Sequence, residues 1–380
     1  MSSEVENLDL KDKEHITITW KDGHTSKYHV KWIRFHCRCE KCFRSFSGMY
    51  PLDTMKFPDD FYIKSANVAD NELHFTTDYE IFENHCGRIP LDWLRVFCSC
   101  NQCFEKLTSE RESKFDNSVT SSISYNDISG ENGLFNLLGR ILNSGFCLIH
   151  DVPNDDTPGQ ISDRIGPKFY TLFSETFGKN GNQIGDGPFQ DYPFYEVVPG
   201  VQIIYPKRTD EKKSFTILTD LLNAAEILRR ESPDHFDSLV RIPATFQYKK
   251  RTESCKPFWF EIQKPHIEID YFGKVVAVHW NPTMEGKLRI HQKDVMAYCK
   301  AHNAFDRILK QKSCQISLQL REGTMLIFNN KRMAHNHKGY DESSIKTLLH
   351  ADDVKSKYVV LGHKLGKTAI PMKIGNRSSF

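Results

Sequence analysis

Residues 24–43 read HTSKYHVKWIRFHCRCEKCF, and residues 85–104 read HCGRIPLDWLRVFCSCNQCF. At a constant offset of 61 residues, with no gap, seven of the 20 positions are identical. They are His24/His85, Trp32/Trp93, Arg34/Arg95, Cys37/Cys98, Cys39/Cys100, Cys42/Cys103 and Phe43/Phe104. Ahead of the first copy, Ile16-Thr-Ile-Thr-Trp20 alternates as a strand does, and Lys21-Asp22-Gly23 is a turn signal. Each copy therefore reads as a small β-hairpin followed by a Trp-anchored turn that carries C-x-C-x2-C. Three soft thiolates within six residues suit Zn2+, which takes four ligands in a closed tetrahedral site. Each copy also carries a histidine eight residues before its tryptophan. If the copies pack about a pseudo-twofold axis, each triplet takes the histidine of the other copy. That predicts Cys37, Cys39 and Cys42 with His85, and Cys98, Cys100 and Cys103 with His24. The alternative is six reduced cysteines in a small core.

The rest of the chain sets the frame. Its 380 residues are enough for two or three domains, and 39% hydrophobic with 26% charged residues is an ordinary globular composition. Lys+Arg at 51 against Asp+Glu at 49 leaves a formal net charge of +2, which argues against nucleic acid or an anionic membrane as the main partner. No run of 18 apolar residues exists to span a bilayer. Met1 to Glu14 is acidic and lacks an apolar core, so the expected location is the cytoplasm rather than the mitochondrion or the secretory route. Of 11 cysteines, the five outside the triplets (Cys86, Cys147, Cys255, Cys299 and Cys314) read as free thiols. Residues 1–106 form the β-rich zinc-binding domain, 107–128 a polar aperiodic linker, and 129–380 a second domain. There a helix over 132–144 leads into a strand at 145–149. Strands follow near 201–205, 258–263, 274–280, 315–320 and 324–328, with a helix near 218–231. Mostly strands with a few helices predict a sandwich or barrel with flanking helices.

Trp32-Ile-Arg-Phe-His-Cys-Arg-Cys-Glu-Lys-Cys42, with a histidine eight positions before Trp93, resembles the zinc-bearing N-terminal domain of γ-butyrobetaine hydroxylase and trimethyllysine hydroxylase. These are the carnitine-biosynthesis members of the TauD-like Fe(II)/2-oxoglutarate dioxygenases. Gly145-Phe-Cys-Leu-Ile149, Asp191-Tyr-Pro193 with Pro199-Gly-Val-Gln-Ile203, and Gly323 to His335 resemble successive parts of their catalytic domain. The resemblance implies a double-stranded β-helix (jelly roll) for the second domain and zinc on Cys37, Cys39, Cys42 and His85. It also implies Fe2+ and 2-oxoglutarate, a small carboxylate or quaternary-ammonium substrate, and a homodimer. The second triplet is outside what it implies.

Residue by residue, the catalytic pattern departs from the family. Iron in this family is held by His-x-Asp and a distal His, matching Asp191 and His335 here. The position two before Asp191 is Phe189, and a phenyl ring donates nothing to iron. The family's 2-oxoglutarate arginine, 13 positions after the distal His, falls on Leu348, within Lys346-Thr-Leu-Leu-His350. Leucine offers no fork to a carboxylate. Aromatic residues that would cage a trimethylammonium group are replaced by Gly181, Asn182 and Gly185, with Tyr192 as a remaining wall. His266, His279, His337 and His350 are the candidates for a replacement imidazole. Three readings follow: a weakly active enzyme or pseudoenzyme of this family, an active dioxygenase acting on γ-butyrobetaine or a related carboxylate, or a zinc-stabilised interaction module.

Overall fold

The computed structural model describes residues 3–109, 121–153, 157–166, 187–206, 215–252, 255–338, 345–350 and 354–365. These fall into two compact units, one ending at Ser109 and the other beginning at Ser121. The cage positions Gly181, Asn182 and Gly185 lie outside the described residues.

In the first unit, β1 (Val5–Asp9), β2 (His15–Trp20) and β3 (Thr25–His29) form an antiparallel sheet, and helix α1 (Val30–Phe35) follows. The second copy repeats the plan. β4 (Ile63–Ala69), β5 (Glu72–Thr77) and β6 (Gly87–Pro90) form another antiparallel sheet, followed by α2 (Leu91–Val96) and α3 (Asn101–Ser109). Strand alternation sends Ile16, Ile18 and Trp20 inward from one sheet and Leu73, Phe75 and Ile89 from the other, into one core. The expected Trp-anchored turns are short helices instead. Val30 and Ile33 in α1, and Leu91 and Leu94 in α2, sit three apart and bury the same face. A six-residue segment is too short for that period to stand out in sequence. Trp32 and Trp93 stack on each other, ring centres 5.5 Å apart and 25° between planes. Gly87 pairs with Phe75 across the β5–β6 ladder, and a Cβ at that position would come within 2.3 Å of the Phe75 ring. Only glycine lets that ring lie against the strand.

The second unit begins earlier than its expected start. Helix α3 already occupies residues up to Ser109 in the stretch expected as a linker, and β7 (Ser122–Ser124) with a 3-10 turn at Tyr125–Ile128 occupies its other end. β7 runs parallel to β8 (Phe146–His150), reached through α4 (Gly130–Ser144). Then come α5 (Thr157–Ile165), β9 (Val201–Pro206), β10 (Phe215–Asp220), α6 (Leu221–Glu231) and α7 (Pro233–Arg241). A long hairpin of β11 (Pro243–Thr252) and β12 (Cys255–Pro265) is followed by β13 (Ile267–Ile269), β14 (Val275–Val278) and α8 (Gln292–Leu309). β15 (Gln315–Leu318), β16 (Met325–Asn329), β17 (Met333–Lys338), β18 (Ile345–His350) and α9 (Val354–Lys364) complete it. The expected helix at 218–231 is therefore split. Residues 218–220 end a strand, and Asp220 caps α6 by accepting from the Asn223 N–H at 3.0 Å.

Two sheets organise this unit. One has the order β18-β9-β16-β8-β7, the other β15-β10-β17. Phe146, Leu148, Ile204, Leu326 and Phe328 from the first meet Leu218, Ile316, Leu318 and Met333 from the second. On the opposite face of the larger sheet, Cys147, Ile149, Val201, Ile203 and Ile327 pack under α4, α5 and α9. Facing sheets with helices over one of them make the double-stranded β-helix with flanking helices. Arg332 ties its parts together. It donates to Asp220 Oδ2 at 2.6 and 2.9 Å, and to the last carbonyls of α4 at Leu142 and Asn143.

Candidate functional site

Each Cys triplet follows one short helix, and each partner histidine comes from the hairpin of the other copy. His85 Nε2 lies 3.6, 3.4 and 3.3 Å from the sulfurs of Cys37, Cys39 and Cys42. His24 Nε2 lies 3.3, 3.5 and 3.7 Å from those of Cys98, Cys100 and Cys103. In each group the four donor atoms lie within 4.8 Å of one another. A tetrahedral ion with Zn–S about 2.3 Å and Zn–N about 2.0–2.1 Å requires S···N separations of roughly 3.6 Å. Both sets match that spacing.

The first set is buried, with Cys37 0%, Cys39 8%, Cys42 1% and His85 6% exposed. A carboxylate absent from the sequence reading supports it. Glu80, just past β5, lies 2.9 Å from His85 Nδ1 and accepts from Arg34 at 2.6 and 3.0 Å. It also accepts from the Thr77 hydroxyl. Arg34 is fully buried and reaches Cys42 Sγ at 3.4 Å. Burial pushes the Glu80 carboxyl up, but His85, Arg34 and Thr77 outweigh it and leave it below its ordinary value. Burial pulls His85 down, and Cys42 and Glu80 outweigh that to raise it. A hydrogen bond from Cys37, with His85 and Arg34 nearby, lowers Cys42 toward the thiolate. Carboxylate–His–metal arrangements of this kind fix the ring and raise its basicity as a ligand.

In the second unit, Asp191 and His335 meet beside the inter-sheet core, with His335 Nε2 3.1 Å from Asp191 Oδ2. Alternation along β9 sends Val201 and Ile203 toward the helices. Gln202 projects the other way and donates to Asp191 Oδ2 at 2.7 Å. Phe189 bridges His335 through two main-chain hydrogen bonds of 3.1 and 2.9 Å, and its ring centre lies 4.5 Å from the imidazole. Phe328 packs on the same imidazole at 5.4 Å. Asp191, His335 and Phe189, expected from the sequence to lie together, thus meet as one carboxylate and one imidazole with a phenyl ring alongside. Leu348 pairs with Ile203 on β9. β18 reads Ile-Lys-Thr-Leu-Leu-His, with no arginine in any register.

The other candidates have separate engagements. His337 shares a 2.9 Å hydrogen bond with Thr216, its ring 4.7 Å from that of His335. His350 pairs with Val201 along the ladder. His266 is fully buried, 2.9 Å from the Tyr298 hydroxyl and 2.7 Å from the His279 carbonyl. With Glu285 and His302 it makes a third donor group, in which His302 Nε2 lies 3.1 Å from Glu285 Oε1. His279 contacts Glu268 at 2.7 Å. Tyr192, with left-handed backbone at φ 60°, is 5% exposed in a core cluster with Phe194, Phe246 and Tyr298, which leaves its ring little surface for a ligand.

A double-stranded β-helix in which an aspartate and a distal histidine meet at the inter-sheet core is the framework of the Fe(II)/2-oxoglutarate dioxygenases. The chain belongs to the family described as taurine catabolism dioxygenase TauD, TfdA family, whose profile matches residues 113–351. A second profile, gamma-butyrobetaine hydroxylase-like, N-terminal, matches residues 9–80. Trimethyllysine dioxygenase of Meyerozyma guilliermondii is 23% identical over 358 residues, covering 86% of this chain and 87% of that protein. Gamma-butyrobetaine dioxygenase of Pseudomonas sp. (strain AK-1) is 21% identical over 345 residues, covering 87% and 88%. The Homo sapiens gamma-butyrobetaine dioxygenase is 22% identical over 363 residues, covering 90% and 91%. At these identities the chain is a divergent member of the family.

Proposed function

We propose that the second unit keeps the dioxygenase scaffold without sustaining 2-oxoglutarate-driven hydroxylation, and that a structural zinc ion on Cys37, Cys39, Cys42 and His85 holds the first unit. The observation that carries the reading is the Phe189 ring packed on His335. Iron, when bound in this family, supplies oxygen activation, and among the described residues Asp191 and His335 are the two that match its protein ligands. The missing arginine on β18 is a second, independent deficit. Removing one partner of a buried charge pair typically costs about 2–5 kcal/mol, roughly 30- to 5000-fold in 2-oxoglutarate affinity. The relatives' names point to small quaternary-ammonium carboxylates as the ligand class the pocket descends from. The buried setting of Tyr192 speaks against a conserved cage for them.

The test is direct. Full-length protein loaded with Fe(II) is incubated with 2-oxoglutarate, alone and with γ-butyrobetaine or trimethyllysine, and succinate is measured. Succinate at the no-enzyme background is expected. Turnover above it overturns the reading in favour of an active dioxygenase, for which the 3.1 Å approach of Asp191 and His335 is the supporting observation.

A further inference from the structure

The first zinc set accounts for half of the repeat's chemistry. The other half sits on Cys98, Cys100, Cys103 and His24. Four of the seven identities between the copies are potential ligands, so the repeat preserves a complete donor set twice. The second set has the same composition and the same imidazole-to-sulfur spacing as the first, and its histidine crosses in the opposite direction. Three features of the surroundings converge on these sulfurs. Ser26 Oγ donates to Cys98 Sγ at 3.0 Å and is itself held by Trp20 Nε1 at 2.8 Å. The Cys103 N–H points at Cys100 Sγ at 3.4 Å. Cys100 immediately precedes α3, where the helix dipole stabilises negative charge. Arg95, the counterpart of Arg34, crosses to Asp22 at 3.2 Å as Arg34 crosses to Glu80. Three sulfurs and an imidazole this close are stabilised together by a single soft cation.

The structure assigns a second zinc ion to Cys98, Cys100, Cys103 and His24, held less tightly than the first. Two differences set the order. Cys100, Cys103 and His24 are partly exposed, whereas every ligand of the first set is buried. His85 has Glu80 on its second ring nitrogen, while among the described residues no carboxylate pairs with the His24 ring. Loss of such an outer partner typically weakens metal binding about 10- to 100-fold.

The experiment counts zinc in full-length protein purified without chelator and follows its release to a colorimetric chelator. Two equivalents are expected, one leaving at least about tenfold faster than the other. Cys98→Ser/Cys103→Ser removes the fast equivalent and leaves the slow one. His24→Ala removes the same equivalent with the second triplet intact, which a site built from cysteines alone would not do. Cobalt substitution adds a readout, since the wild type then shows twice the tetrahedral thiolate–cobalt absorption of either variant. One zinc in the wild type, two in the double-serine variant, or a wild-type triplet titrating as a disulfide overturns the assignment. If the variants fail to fold, the wild-type count and the two-phase release decide it.

Discussion

Replacing Glu80 with glutamine is the sharpest test of how the first unit is held. The side chain keeps its size and loses its charge. In the native unit this carboxylate faces the fully buried Arg34 guanidinium at 2.6–3.0 Å and the His85 ring at 2.9 Å. Glu80 is itself only 14% exposed, so water screens little of the pair. A glutamine amide turns one of its oxygens into a donor that confronts Arg34, and a buried cation left without its partner typically costs about 3–5 kcal/mol. The outer-partner effect on the proposed zinc adds a 10- to 100-fold loss of affinity, about 1.4–2.7 kcal/mol. Urea unfolding followed by hydrogen exchange in peptides spanning 63–97 reads the first quantity. Competition with a chelator of known affinity reads the second. A Glu80→Gln protein within about 0.5 kcal/mol of wild type, with an unchanged competition midpoint, would refute the reasoning, since that is the ordinary range for a surface substitution.

Three further outcomes are expected. Phe189→His places a third donor beside Asp191 and His335, at a cost in stability of about 1–2 kcal/mol from lost apolar burial. Mn2+ binding seen by electron paramagnetic resonance should appear or strengthen, and an unchanged spectrum counts against the alignment of position 189. Burial holds His266 neutral, with its pKa pulled down to about 4, and lowers His279 as well. Because the unfolded chain takes up those protons near pH 6.5, stability around β12–β14 falls as pH drops from 6.5 toward 4.5, before the carboxylates titrate. The loss is on the order of 3 kcal/mol for His266 by pH 4, and flat hydrogen-exchange protection in that region across the window would contradict it. Gly87→Ala forces a methyl group into the Phe75 ring and should cost about 1–3 kcal/mol. A thermal midpoint equal to wild type would mean the ring has room to move.

What could be read from sequence was whatever repeats or alternates. The offset of 61 exposed both Cys/His clusters and the crossing of their histidines, because two copies of one motif show which positions are kept. The apolar runs announced β8, β9, β12, β14, β15 and β16, whereas β10, β11, β17 and β18 went unread. Glu80 did not, since it belongs to no spacing and acquires its role only when the β5–β6 copy folds against Arg34. The identity of Arg34 and Arg95 was visible, but what each arginine meets was not. Helix α8 passed unnoticed although Tyr298, Ala301, Ala304, Phe305 and Ile308 bury one face of it, because histidine, cysteine and lysine between them blur the period. Phe189 was legible as a departure. That its ring would rest on His335 followed only from the main-chain bridge between them.

The crossing of histidines between the copies carries a historical implication. Reciprocal exchange, in which each half gives a residue to the other and receives its equivalent, is the signature of an isologous two-fold interface. Single-repeat chains pairing as a homodimer would have completed both clusters in this way, each clasping the other's triplet. Joining two such chains end to end yields the present unit without moving a residue of either cluster. On that view the 61-residue offset records the length of an ancestral protomer. Because the two copies share one core, cutting the chain between them should give fragments that regain their fold only in each other's company.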